Sequence, residues 1–279
     1  MNFVVAAYSA IWVFFIIYFA VIMANTAKAR KALAGGEASP DAPSAGKLGW
    51  IFDFVKKHLD LAVTALTALA AVAAPVSMYL ILGYAPLEAA MGAPQKIFYY
   101  HVPIAILCYA GFFICFIGSA LYLITGEEVH DTYALSGAET GVLFITLVLI
   151  TGMLWGRPSW GAYWTWDPRL TTSLVLWLIY VGYLILRSQV EDSTMRAKYA
   201  AVMGIVGFVD VPIVHFSVQL WTRGIHPVLD KSGADHGMDP RMLKTLMICF
   251  PSVALFFVLL FAARWRYEFL HRRLERRKS

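Results

Sequence analysis

Apolar residues along this 279-residue chain fall into long, nearly unbroken runs rather than the spaced stripes of water-soluble elements. Seven runs stand out, at 3–24, 61–84, 99–125, 134–155, 170–186, 199–217 and 245–263, each with few or no charges. A helix needs about 20 mostly apolar residues to cross the hydrocarbon core of a bilayer. In lipid, backbone N–H and C=O groups must be satisfied within the segment, which helices do. The pattern therefore predicts an all-α polytopic membrane protein with seven spans.

Between the first two runs lies A-G-G-E-A-S-P-D-A-P-S-A-G-K at 34–47. Such a segment, rich in Ala, Gly, Ser and Pro, reads as a flexible linker. It divides the chain into a tethered single helix (1–33), a cytoplasmic linker (34–49) and a six-helix core bundle (50–279). The first run stands where a secretory signal would. It has no basic residues before it and no A-x-A site, while Lys28, Arg30 and Lys31 follow it, as in a retained anchor.

Charge then sets the orientation. Of 23 Lys and Arg, 16 fall in the connections at 25–60, 126–133 and 187–198 and in the tail from 264; the alternate connections hold 7. Short basic connections stay in the cytoplasm, so the N-terminus is expected outside and the C-terminus inside. The net charge of +5 thus belongs to a membrane face, and no nucleic-acid partner is implied. The tail R-W-R-Y-E-F-L-H-R-R-L-E-R-R-K reads as a basic interfacial segment or a plain stop signal. Cys108, Cys115 and Cys249 fall inside apolar runs with no C-x-x-C pair, so they are expected to be packing residues.

The densest chemistry lies at 155–169, W-G-R-P-S-W-G-A-Y-W-T-W-D-P-R. Tryptophan and tyrosine favour membrane interfaces in any case, so an aromatic belt is the ordinary reading. A belt spreads over many helix ends, whereas Trp155, Trp160, Trp164 and Trp166 crowd one connection beside Tyr163. Gly156 and Gly161 remove side chains beside those rings, so a flat ligand could come close. Arg157 and Arg169 could take carboxylates bidentately, with Asp167 holding an arginine or an indole N–H. A planar hydrophobe with carboxylates at its edge describes haem.

Haem iron needs axial ligands, and of seven histidines His58, His130 and His271 fall on the inner side. His101, in Y-Y-H-V-P, and His215, in V-P-I-V-H-F-S-V, lie at matched depth near the outer boundary, level with the tryptophan segment. An interfacial hydrogen-bonding role is the plainer reading of either one alone. His226 and His236, in a hydrophilic loop, read as solvated. Asp210, inside the sixth run, is an intramembrane carboxylate of the kind that faces a bundle interior and serves function; a structural hydrogen bond to another helix is the alternative. Pro212 should free a backbone carbonyl nearby. Glu139 reads as an interfacial charge.

With these residues in view, the chain resembles the CcmC family, the haem-handling proteins of system I cytochrome c maturation that carry a tryptophan-rich WWD domain. The resemblance rests on W-G-R-P-S-W-G-A-Y-W-T-W-D-P-R-L-T at 155–171, Y-Y-H-V-P around His101 and I-V-H-F-S-V-Q-L-W around His215, and spans about 50–265. Pro168, shared with the relatives CcmF and CcsA, and Asp210, where an amide is expected, depart from the pattern. The resemblance implies haem b held at the outer face of the bacterial inner membrane by two axial histidines, matching His101 and His215. It implies transfer of that haem to the periplasmic chaperone CcmE, with the ABC subunits CcmA and CcmB and the single-helix CcmD as partners. The role implied is binding and transfer, with help in covalent attachment to CcmE, rather than an enzyme's. Residues 1–33 are similar to CcmD, so a CcmD–CcmC fusion is expected; an unrelated anchor helix is the other reading. A CcsA- or CcmF-like lyase component joining haem to apocytochrome c, or a transporter moving haem through its own bundle, would share much of this pattern. The chain has no G-x-x-x-x-G-K-[ST] loop, so any ATP dependence comes from partners.

Overall fold

Described in the computed structural model are the backbone of 2–35, 48–221 and 238–278 and the side chains of 2–34, 60–221 and 238–275. Most of the expected linker, His226 and His236 lie outside the described residues. Helices α1 (Asn2–Gly35), α2 (Leu48–Tyr79), α3 (Phe98–Thr125), α4 (Glu128–Trp160), α5 (Pro168–Gln189), α6 (Ser193–Phe208), α7 (Asp210–Leu220) and α8 (Pro240–Lys278) make up the molecule. Seven spans are long and apolar enough to cross a membrane, α6 and α7 together forming one of them. The all-α, seven-span, multi-pass expectation holds.

Several helices run further than their apolar stretches. Helix α4 begins at Glu128 and continues to Trp160, past both ends of the 134–155 run. Its first turns are stable because their charge is paired: Asp131 accepts both guanidinium nitrogens of Arg187, at 2.5 and 2.8 Å. Arg272 of α8 adds a third bond at 2.6 Å and also holds Glu268 at 2.9 Å. Glu268 in turn accepts from Arg264 at 3.0 Å, and Arg264 makes a bidentate pair with Glu139, its Nη2 at 2.8 Å from Oε1. Glu139 is therefore a partner in a chain of ion pairs joining α4, α5 and α8, not a lone interfacial charge. Asp60 of α2 pairs with both Arg266 and Arg30, bringing in α1. All these groups lie at one end of the bundle, here called the basic end.

Near Pro212 the helix is interrupted at Val209, between α6 and α7. Proline has no N–H to give the carbonyl four residues back. For Pro212 that carbonyl belongs to Phe208, the last residue of α6.

Helices α3 and α4 pack backbone against backbone. A Cβ placed on Gly137 would meet the Gly111 carbonyl at 2.7 Å, and one on Gly118 would meet the His130 carbonyl at 2.8 Å. A Cβ on Gly111 would likewise meet the Gly141 backbone at 2.9 Å, and one on Gly141 would meet the Phe112 ring. Gly137 and Gly141 stand four residues apart, the small-residue spacing that lets membrane helices approach closely, and Gly111 and Gly118, two turns apart on α3, face them and the turn before.

The N-terminal helix docks along the bundle. Its buried residues Val4, Ala7, Tyr8, Ile11, Phe15 and Ile22 form one stripe. Phe15 stacks on Phe256 of α8, and Trp12 meets the same ring edge-on. The Tyr8 hydroxyl donates to the carbonyl of Lys96 at 2.7 Å, in the short 3-10 turn Ala93–Ile97 that leads into α3. The expected tether thus ends in a lateral dock against α4, α8 and this turn. Buried Lys96 sends its ammonium to the carbonyls of Ile81 (2.7 Å), Leu82 and Ala85 (both 3.2 Å). A cation suits that position because the last carbonyls of a helix lack partners and carry negative partial charge.

Candidate functional site

The tryptophan segment closes α4 and opens α5, at the end of the bundle opposite the ion-pair chain. Helix α4 stops where Gly161 turns left-handed (φ 78°) and its N–H returns to the Arg157 carbonyl at 3.1 Å. Only glycine takes that conformation cheaply. The bare Cα of Gly156 serves the same fold-back, since a Cβ there would lie 3.2 Å from the Ala162 carbonyl and from the Trp160 ring. The segment's own atoms therefore fill the space beside Gly156, and Gly161 acts as a helix terminator.

Asp167 explains why the aromatic run ends in charge. It is 6% exposed and caps α5: its carboxylate accepts the backbone N–H of Arg169 at 3.0 Å, and its carbonyl takes the Thr171 N–H at 2.9 Å. Pro168 follows as the first helical residue, where a missing N–H costs nothing. Asp167 thus has a capping role beside the one expected of its side chain toward an arginine or an indole N–H.

The rings pair edge to face, Trp155 with Trp160 at 5.0 Å and Trp164 with Trp166 at 5.8 Å. Trp166 is 76% exposed and Tyr163 is exposed beside it. Arg157 donates to the Gly161 carbonyl and lies over the Tyr163 ring, so its guanidinium is held within the segment. Arg169 reaches from the start of α5 to the backbone carbonyl of His215 on α7, at 3.2 Å. That bond ties the tryptophan segment to the helix of the second candidate histidine. The His215 ring is exposed and lies edge-on to Phe216 at 4.8 Å.

His101 stands in the first turn of α3, partly exposed, with Nδ1 2.8 Å from Oγ1 of Thr151 on α4. The ring lies over Gly152, where an added Cβ would sit 3.5 Å from its Cε1. Thr151 was not singled out by sequence. Its only cue is that it lies one turn before Trp155, on the helix that must pass the start of α3.

Asp210 sits at the α6–α7 break, partly buried, and its Oδ2 has no hydrogen-bond partner among the described residues. Tyr109 lies within electrostatic reach of both Asp210 and Arg169. Outside the spans, Asp239 caps α8; hydrogen bonds from Arg241 hold its carboxyl below the ordinary carboxylate range. The three cysteines are buried thiols, as packing residues should be. Among the described residues no group of three or more His, Cys, Asp or Glu is arranged to hold a bare metal ion.

Fold and site together define a seven-span helical membrane protein with aromatic rings, two histidines and an arginine gathered at one end. The family model for CcmC, Heme exporter protein C, matches residues 51–279. The Heme exporter protein C of Bradyrhizobium diazoefficiens is 37% identical over 190 residues, 68% of this chain and 72% of that protein. That of Rhodobacter capsulatus is 32% identical, over 69% of this chain and 80% of its own length. A putative cytochrome c biosynthesis ccmC-like mitochondrial protein of Arabidopsis thaliana is 36% identical over 52% of this chain. The chain belongs to the CcmC family.

Proposed function

We propose that this protein binds haem at the outer face of the bacterial cytoplasmic membrane and presents it to the periplasmic chaperone CcmE for c-type cytochrome maturation. The observation that carries the reading is the Arg169–His215 bond, which links the tryptophan segment to a candidate ligand's helix at the end of the bundle where His101 stands. His101 and His215 are the axial ligands of this proposal, and haem b is the cargo.

The exposed faces of Tyr163 and Trp166, with Trp155, Trp160 and Trp164 behind them, supply apolar area for the macrocycle. Aromatic contacts add about 0.5–1.5 kcal/mol per pair beyond area burial. Arg169 is the better candidate for a propionate: its bond to the His215 carbonyl uses Nη2 alone, whereas Arg157 is folded onto Gly161 and Tyr163. Neutral imidazole ligates iron near pH 7 because its unperturbed pKa is close to 6.5. CcmA and CcmB fit as the ATP-using partners. Residues 1–33 fit as a CcmD-like helix supplied within the same chain, docked laterally against α4 and α8.

The test is an absorption spectrum of the purified full-length protein with haem. A Soret band that shifts and loses intensity in His101→Ala and His215→Ala supports the reading. An unaltered low-spin spectrum in the double variant would overturn the ligand assignment.

A further inference from the structure

We infer that Thr151 is the positioning residue that selects the tautomer of His101, leaving the lone pair on Nε2. The inference deepens the haem reading above and rests on it for its consequence, though not for its geometry.

The Thr151 hydroxyl has one proton. Its Oγ1 lies 2.6 Å from the Leu147 carbonyl oxygen. Two oxygens approach that closely only with a hydrogen between them, and a carbonyl carries none. The Thr151 proton therefore lies on the line to Leu147, with the Val148 carbonyl at 3.3 Å as a weak second acceptor. Toward His101, at 2.8 Å, the same oxygen can only accept. The hydrogen on that line belongs to Nδ1, and in a neutral imidazole the other nitrogen then has the lone pair.

Thr151 is fully buried on α4, which packs backbone to backbone against α3, so its oxygen is a fixed reference point. Gly152 beside it leaves room for the ring to lie flat against α4. A histidine whose remote nitrogen ligates a metal usually donates its other N–H to an oxygen, which sets the ring's orientation and raises its basicity. A threonine oxygen is a neutral acceptor and a weaker one than a carboxylate. It orients the imidazole while adding less electron density than a carboxylate would, which suits a ligand that must later let its iron go.

The experiment compares Thr151→Val, which keeps the shape and removes the acceptor, with Thr151→Ser, which keeps the hydroxyl. In full-length protein loaded with haem, Thr151→Val should release haem about 10–100-fold faster, the usual range for lost outer-shell partners of a metal ligand. It should also raise the iron midpoint potential, while Thr151→Ser stays close to the unaltered protein. Equal release rates and potentials in all three would overturn the inference. A second measurement needs neither a variant at 151 nor haem: the ring 15N shifts of His101, identified as the signals lost in His101→Gln. Protonated Nδ1 and unprotonated Nε2 support the inference, and the reverse overturns it. Failure of the haem reading looks different, since His101→Gln would then leave haem binding unchanged whatever the tautomer.

Discussion

Arg187 at the end of α5 and Asp131 in the first turn of α4 share two hydrogen bonds, with their side chains only 7% and 4% exposed. Arg272 approaches the same carboxylate from α8, so one acidic group neutralises cations from two other helices. Removing one partner of a buried ion pair costs about 3–5 kcal/mol, because the charge left behind has no compensation. Asp131→Ala should therefore destabilise the protein by about that much in reversible unfolding from detergent. Asp131→Leu combined with Arg187→Met should recover part of the loss. A single variant as stable as the unaltered protein would show that the ion-pair chain does not hold this end together.

The cap at Asp167 separates two roles that coincide in one residue. Losing an N-cap costs about 1 kcal/mol on replacement by alanine and little on replacement by asparagine. Asp167→Asn should thus melt close to the unaltered protein, and Asp167→Ala measurably lower. If Asp167 matters only as a cap, Asp167→Asn should load haem normally. Loss of loading with unchanged melting would mean that its charge is needed as well.

Orientation can be tested away from both ends' chemistry. Ala89→Cys and Glu191→Cys, each in a background lacking the three buried thiols, occupy exposed positions in connections at opposite ends of the bundle. With the 16-to-7 division of Lys and Arg, Ala89→Cys should react with an impermeant thiol reagent on intact cells. Glu191→Cys should react only after permeabilisation. The opposite result would put the tryptophan segment in the cytoplasm.

The N-terminal helix makes a fourth case. Deleting residues 1–33 exposes the faces of Tyr100 and Phe256 and removes the Tyr8 bond to the turn ahead of α3. The deletion should still bind haem, because no candidate ligand is lost, but release of haem-loaded CcmE should slow. Normal turnover, with no separate CcmD supplied, would favour a plain anchor. Tyr8→Phe alone should cost about 1 kcal/mol, the net value of a typical hydrogen bond.

Spans were legible in sequence because lipid imposes a length and a polarity on every crossing segment, as for 99–125 against α3 at Phe98–Thr125. Pro212, expected to free a nearby carbonyl, lies just after the break at Val209. What escaped were contacts between residues far apart in the chain. Glu139 and Arg264 are 125 positions apart, and nothing local marks them as partners. Thr151 and His101 are separated by 50 positions, and a threonine inside an apolar run reads as filler. The small size of Gly156 is taken up by the chain's own turn, while Gly161 serves through its left-handed backbone. Composition shows that rings and charges are present, while only the packed structure shows which of them are already occupied.

The glycine seam between α3 and α4 bears on what the helices that carry His101 can tolerate. Where backbone meets backbone there is no layer of side chains that could be exchanged for smaller ones. His101 and the start of the tryptophan segment are thus carried on a pair of helices whose separation is already at its minimum. A bulkier or differently substituted macrocycle could not be accommodated by reshaping that seam. Any latitude in cargo would come from the far wall, where α7 begins at a break and presents His215 from an eleven-residue helix. Variants selected to handle altered porphyrins should accumulate changes in α7 and the α4–α5 connection, and leave Gly111, Gly118, Gly137 and Gly141 untouched.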